Sequence, residues 1–453
     1  MPSLQNLFFE NALLPGGWAQ NVRIGVDSGR FTLIASDQLP EPGDAVSAVA
    51  IPGIPNLHSH AFQRGLAGLG EVRGSSEDTF WTWREVMYRF ALSMSPEQMQ
   101  VIASQAYIEM LESGFTRVGE FHYLHHDRDG SPYADIAELA LRIVTAAEET
   151  GIGLTLLPVF YAHSTFGGEP PTAGQRRFIT NLESFAKLVE RCQEIVSGID
   201  GAVLGVAPHS LRAVTPDELA EVIQLLPNGP IHMHIAEQER EVADCLTWSG
   251  QRPVSWLLDR FDVASRWCLI HATPLSADAT ERLARSGAVA GLCPITEANL
   301  GDGIFPGPEF VSNGGGYGVG TDSNVLISLP SELRQLEYAQ RLARRQRNVL
   351  ATGPGSTGRA LFDTALVGGS QALGVPEAGI AIGERADFVT LTTEHPDTSQ
   401  GDTVLDTWIF AGAGSIEHVW VGGKRVVQNG RHIHRDSITP RYRSVIRELI
   451  ASN

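Results

Sequence analysis

Histidines and carboxylates stand where short apolar runs of this chain end, and their types and spacing suit metal-assisted hydrolysis. His58 and His60 close the run IPGIPNL as His-Ser-His. Residues two apart on a strand share a face about 7 Å apart, so two imidazoles there can converge on one ion. Taken alone, the pair reads equally well as two satisfied polar residues. His232, His234 and Glu237 follow in IHMHIAE, His271 ends WCLIH, and Asp322 follows YGVGT. Three imidazoles (His58, His60, His234) and the Asp322 carboxylate around a divalent ion, with one position open to water, form the donor set of a catalytic centre. Glu237 beside it can shuttle a proton. His232 shares the inward face of its run but lies deeper, and is read as a supporting or core histidine.

Such groups meet only if the fold brings the run ends together. Continuous apolar runs at 51–57, 115–121, 153–160, 202–207, 231–235, 267–271, 288–294 and 317–321 are what strands buried on both faces look like. Helical patterns separate them. The clearest starts at Ser95, with Pro96 first in the helix, Gln98 completing a capping box, and an apolar stripe ending at Gly114. Segments 135–149, 216–226 and 277–285 read the same way. Eight strands alternating with helices predict a (β/α)8 barrel over 51–377, with its site on the rim at the strand ends. The chain ends differ. Residues 3–34 alternate around Asp27-Ser28-Gly29, and 386–434 carry hairpin turns at Gly422-Gly423 and Asn429-Gly430. Segments 1–50 and 378–436 are therefore expected to pair into one small β domain flanking the barrel, with a helix over 437–453.

Composition removes other classes. The 453 residues hold 34 Lys and Arg against 52 Asp and Glu, a net charge of −18, which is the wrong sign for a nucleic-acid binder or a polybasic membrane contact. No run of about eighteen apolar residues occurs. The first residues carry Glu10 and no basic region, so a cytoplasmic protein is expected. The four cysteines are scattered and read as buried thiols. Two glycine-rich stretches, 353–358 and 313–318, lack the residues or the order of phosphate and dinucleotide loops.

The motifs HSHAF after IPG, HIAE, His271 and TDS resemble the amidohydrolase superfamily, a metal-bearing distorted barrel with a small β-sandwich. The resemblance spans nearly the whole chain. Two-metal members carry a lysine at the end of strand four; AVLGVAPHSLR has none, which implies the one-metal branch. Within it, NLHSHAFQRGLAGL, FWTWREVMYRF, GEFHYLHH and APHSLRAV are most similar to the formimidoylglutamate deiminases of bacterial histidine breakdown. That likeness implies one Zn²⁺, or another divalent ion, held by His58, His60, His234 and Asp322. Glu237, His271 and Asp322 would do the chemistry, and Gln63, Arg84, Tyr123, His209 and Arg212 would hold the substrate. The substrate implied is N-formimidoyl-L-glutamate, with two carboxylates for arginine forks and an amidine hydrolysed to N-formyl-L-glutamate and ammonia. A homodimer is the family expectation, with Trp81 and Trp83 as candidates for its interface.

Alternatives stand beside this. Without the likeness, Arg84 in its aromatic stretch reads as helix packing or surface, and Arg212 as a loop salt bridge. Another one-metal aminohydrolase, acting on guanine, cytosine or a thioadenosine-type nucleoside, would share the centre but have less need of two arginine clamps. A barrel descendant without catalysis would lack the ligands. His122, His125 and His126 are read as polar rim residues, and His395, His418, His432 and His434 as β-domain residues far from the rim.

Overall fold

The computed structural model describes residues 5–73, 78–376, 379–392 and 400–452. His395 and the expected domain boundary at 378 lie outside the described residues. Both chain ends build one eight-stranded sheet. In spatial order it runs Arg431–His432, Lys424–Gln428, Ile416–Val421, Phe388–Leu391, Ala45–Pro52, Gln5–Leu14, Gly17–Asp27 and Arg30–Ala35. Phe388 pairs with Pro52, which zips the late segment onto the early one. The turns Asn429-Gly430 and Gly422-Gly423 have positive φ at both residues, the backbone that two-residue hairpins require.

This sheet is the expected sandwich in an unexpected form, because it closes by curling over itself. Arg30 bridges Arg385, and Phe31 N–H donates to the Glu384 carbonyl at 3.1 Å, joining the edge strand to the segment that leads into Phe388–Leu391. Phe388 stacks on Trp420 with centroids 4.5 Å apart, and Phe9 and Phe31 close in at 5.9 and 5.7 Å. Those rings fill the enclosed core.

The barrel strands are Ile54–Ser59, Phe115–His122, Gly153–Phe160, the split pair Val203–Leu204 and Ala207–Pro208, Ile231–Ile235, Trp267–His271, Val289–Leu292 and Gly316–Val319. They pair in parallel as two arcs. Isolated bridges join the arcs, Val206–Ile231 and Ser210–His234 on one side and Ser59–Asp322 on the other. Strand four breaks at Gly205, where an added Cβ would sit 2.5 Å from the Pro230 carbonyl oxygen. The chain can pass there only without a side chain.

Helix Pro96–Glu112 has the expected capping box: Ser95 Oγ accepts Gln98 N–H, and Gln98 Oε1 accepts Ser95 N–H. The last helix, Arg435–Ser452, packs on it. Helix Phe80–Ser93 sits over the rim between strands one and two and carries the aromatic stretch. Among the described residues, no helix is long and apolar enough to cross a membrane.

Candidate active site

Strands one and eight are locked to each other at the point where the chemistry gathers. His60 N–H donates to the Asp322 carbonyl at 2.9 Å, while Thr321 and Asp322 N–H both donate to the His58 carbonyl. Asn324, fully buried, donates from Nδ2 to Ser59 Oγ and to the His60 and Asp322 carbonyls. Asp322 itself has φ 44, as do Ala236 (51), His271 (69) and Ala272 (47) in kind. Non-glycine residues hold that conformation only where the surroundings over-determine it, and all four lie at strand exits facing one point.

At that point the donor atoms of His58, His60, His234 and Asp322 come within 4.8 Å of one another, all buried. His234 Nε2 lies 3.1 Å from His58 Nε2 and 3.4 Å from His60 Nε2. Asp322 Oδ1 lies 3.3 Å from His60 Nε2 and 3.5 Å from His58 Nε2. His60 and His234 give their Nδ1–H to the Phe121 and His209 carbonyls, so their Nε2 lone pairs face inward. Burial drives His58 down to about 3 and lowers His60 and His234 too. Neutral lone pairs and a carboxylate oxygen crowded together repel one another unless a cation sits among them. The donor set therefore fits a divalent metal ion.

His271 behaves oppositely. Burial opposes its charge, yet Glu237, Glu297 and Asp322 outweigh burial and push the imidazole up to about 10. Its Nε2 faces Glu237 Oε1 at 3.6 Å and Asp322 Oδ2 at 3.8 Å, while its Nδ1 lies 3.3 Å from Glu297 Oε1. Burial pushes Glu237 up to about 7, tempered by His271 and Arg212. Asp322 goes the other way: burial would raise it, but the imidazoles of His58, His60 and His271 hold it well below the usual carboxylate range. One cavity thus pairs a proton-holding carboxyl with an ionised one.

The expected substrate residues line the same cavity: Gln63, Arg84, Tyr123, His209 and Arg212, together with His60, His234, Glu237 and Asp322. Gln63 Nε2 donates to Tyr123 Oη at 2.9 Å, leaving Gln63 Oε1 buried without a partner. Arg212 reaches Glu237 and Glu241 only loosely, each at 3.7 Å. Arg84 sits on the faces of Trp81 and Tyr88, with no carboxylate partner among the described residues.

Comparison with known proteins fits this geometry. The family model described as "Amidohydrolase family" matches residues 49–426, and that of the N-terminal domain of formimidoylglutamate deiminase HutF matches 5–48. The chain belongs to the amidohydrolase family. It is 50% identical to a formimidoylglutamate deiminase of Pseudomonas aeruginosa, over 98% of this chain and 99% of that one. Among solved structures, an amidohydrolase from Brucella melitensis superposes with a TM-score of 0.97 at 57% identity, covering 98% of this chain and all of that one. A zinc-bound adenosine deaminase from Xanthomonas campestris shares the fold, with a TM-score of 0.81 at 20% identity over 99% and 98% of the two chains.

Several groups of this amidohydrolase site went unseen in the sequence. Glu297, in the helix after strand seven, touches His271 and accepts Cys293 N–H at 2.9 Å. The strand-exit rule, extended past CPIT, would have reached it. Tyr161, Phe178 and Leu300 also line the cavity, with nothing local to mark them, and so does Tyr88 of the aromatic stretch. The three histidines read as rim residues are buried instead. His125 and His126 lie 2.8 and 2.7 Å from the Val159 and Ile179 carbonyls, and His122 packs edge-on against His125. The segment carrying Arg177 covers the loop, its carbonyl accepting the N–H of both His125 and His126. His232 lies deeper in the barrel, 2.7 Å from the Ala372 carbonyl. His418 and His432 belong to the sheet domain.

Proposed function

We propose that this amidohydrolase hydrolyses N-formimidoyl-L-glutamate to N-formyl-L-glutamate and ammonia. The observation that carries the reading is the polarity of one cavity. Its floor holds imidazoles and carboxylates, and its wall holds two guanidiniums, Arg84 and Arg212, that are not closed into tight ion pairs. A substrate with a cationic amidine at one end and two carboxylates at the other suits that gradient. The near-full-length likeness to the Pseudomonas aeruginosa deiminase supports the same substrate.

His58, His60, His234 and Asp322 would hold one Zn²⁺, which when bound supplies Lewis acidity and lowers the pKa of water towards about 7. Asp322, kept ionised, accepts a proton from the attacking water and aims its oxygen at the amidine carbon. His271, charged and held by Glu297, donates from Nε2 to that oxygen as it adds. Glu237, exchanging its proton near neutral pH, delivers it to the departing nitrogen. The carbon–nitrogen bond breaks, ammonia leaves, and the formyl C=O remains on the glutamate nitrogen. Gln63, Tyr123 and His209 would complete the substrate wall.

Ammonia release from N-formimidoyl-L-glutamate, N-formimidoyl-L-aspartate, guanine, cytosine and a thioadenosine nucleoside tests the reading. Turnover of the glutamate compound well above the rest is expected. Turnover of a base with none of the glutamate compound would reject it.

A further inference from the structure

Trp81 does not line the cavity, yet it touches both guanidiniums that do. Its ring centroid lies 4.5 Å from Arg84 Cζ and 5.9 Å from Arg212 Cζ, and a third guanidinium, Arg240, covers it at 4.6 Å. The three arginines come from different elements: the Phe80–Ser93 helix, the loop after strand four, and the Glu239–Ser249 helix after strand five. Like charges brought to one place repel; Glu237 and Glu241, each at 3.7 Å, offset this for Arg212, but the other two have less. Arg84 has no carboxylate partner among the described residues, and Arg240 only a loose Asp244 contact at 3.7 Å. What they share is the ring of one indole, whose electron-rich face attracts cations and holds a guanidinium plane in orientation. On a chain of net charge −18, three guanidiniums are thus gathered at one side of a site.

We infer that Trp81 is a positioning residue for substrate specificity: it gathers Arg84, Arg212 and Arg240 so that the cavity selects a substrate with two carboxylates over one with a single carboxylate. The inference rests on the proposed reaction for its substrate, but its geometry concerns carboxylate recognition alone.

The test compares the zinc-loaded parent with Trp81→Leu and Trp81→Phe. The measurements are kcat and KM for N-formimidoyl-L-glutamate, calorimetric binding of glutarate and butyrate, melting temperature and zinc content. Loss of a partly desolvated cation–π contact predicts a KM and a glutarate Kd about tenfold higher in Trp81→Leu. The loss should fall on KM far more than on kcat, with butyrate binding little changed. Trp81→Phe, which keeps a π face, should recover much of the loss. Glutarate binding by Trp81→Leu within twofold of the parent would overturn the inference, as would a drop in kcat at unchanged KM. If Trp81→Leu does not fold, Trp81→Gln, which fills much of the space without a π face, takes its place on the same readouts and with the same deciding result; parent protein that binds glutarate no better than butyrate overturns the inference in either case. Failure of the proposed reaction shows separately, as absence of turnover by the parent.

Discussion

Glu297 Oε1 lies 3.3 Å from His271 Nδ1 and accepts the Cys293 N–H at 2.9 Å. The contact crosses from the exit of strand seven to the exit of strand six. It holds the His271 ring with Nε2 towards Glu237 and Asp322. Glu297→Ala leaves the ring free to turn, and kcat should fall about 10- to 100-fold with KM and metal content near normal. Glu297→Gln keeps a carbonyl acceptor in place and should recover most of that loss. Steady-state kinetics on both variants, with metal analysis, check it; equal kcat in Glu297→Ala and parent would contradict it.

Glu237→Gln removes a proton carrier without touching the donor set of the ion. Metal content should stay near one per chain while turnover drops by about 10²–10⁴-fold. Ammonia release measured beside metal content decides this. Surviving turnover would mean that another group relays the proton.

Arg212→Ala should weaken substrate binding far more than metal binding. Arg212 lines the cavity but makes only loose contacts to Glu237 and Glu241, so its donors are available to a carboxylate. Truncating one partner of a buried charge pair costs about 2–5 kcal/mol, or a loss in kcat/KM on the order of 10²-fold. Metal affinity and kcat/KM measured together test it, and equal loss of both would mark a structural role.

Away from the site, His432 gives a pH dependence of stability. Its Nε2 donates to the Thr150 carbonyl at 2.8 Å and its Nδ1 accepts the His434 N–H at 3.1 Å, an arrangement open only to the neutral ring. Burial lowers it from 6.5 to about 4. The folded state therefore resists the proton more than the unfolded state does. Its stabilising contribution is complete above 6.5 and fades as pH falls towards 4. The Tm gap between parent and His432→Gln should narrow over that window; a gap constant with pH would contradict this.

The barrel was legible because its strands are buried on both faces and so appear as unbroken apolar runs, from Phe115–His122 to Trp267–His271. Strand exits are local features, and His58, His60, His234 and Asp322 could be placed there from spacing alone. The curl of the terminal sheet was not legible, because it depends on Phe31 meeting Phe388 across some 350 residues of chain. Glu297 and Tyr161 escaped for a related reason, and Trp81 reads in the sequence as an interface residue and not as a neighbour of the site. Each sits on a helix or loop whose lean over the rim is set by packing, and a glutamate or tryptophan in such a segment looks like any other. The burial of His122, His125 and His126 followed from the loop folding back over the rim, which polar composition had suggested would stay wet.

The central claim is that three imidazoles and Asp322 hold one divalent ion on which hydrolysis of the formimidoyl group depends. Metal content and ammonia release should be measured together on protein stripped by chelator and then titrated with Zn²⁺, in the parent and in His234→Ala. The account predicts activity rising in step with bound ion to a plateau near one per parent chain, and neither binding nor activity in the variant. Full activity in metal-free protein, or tight binding of the ion by His234→Ala, would contradict it.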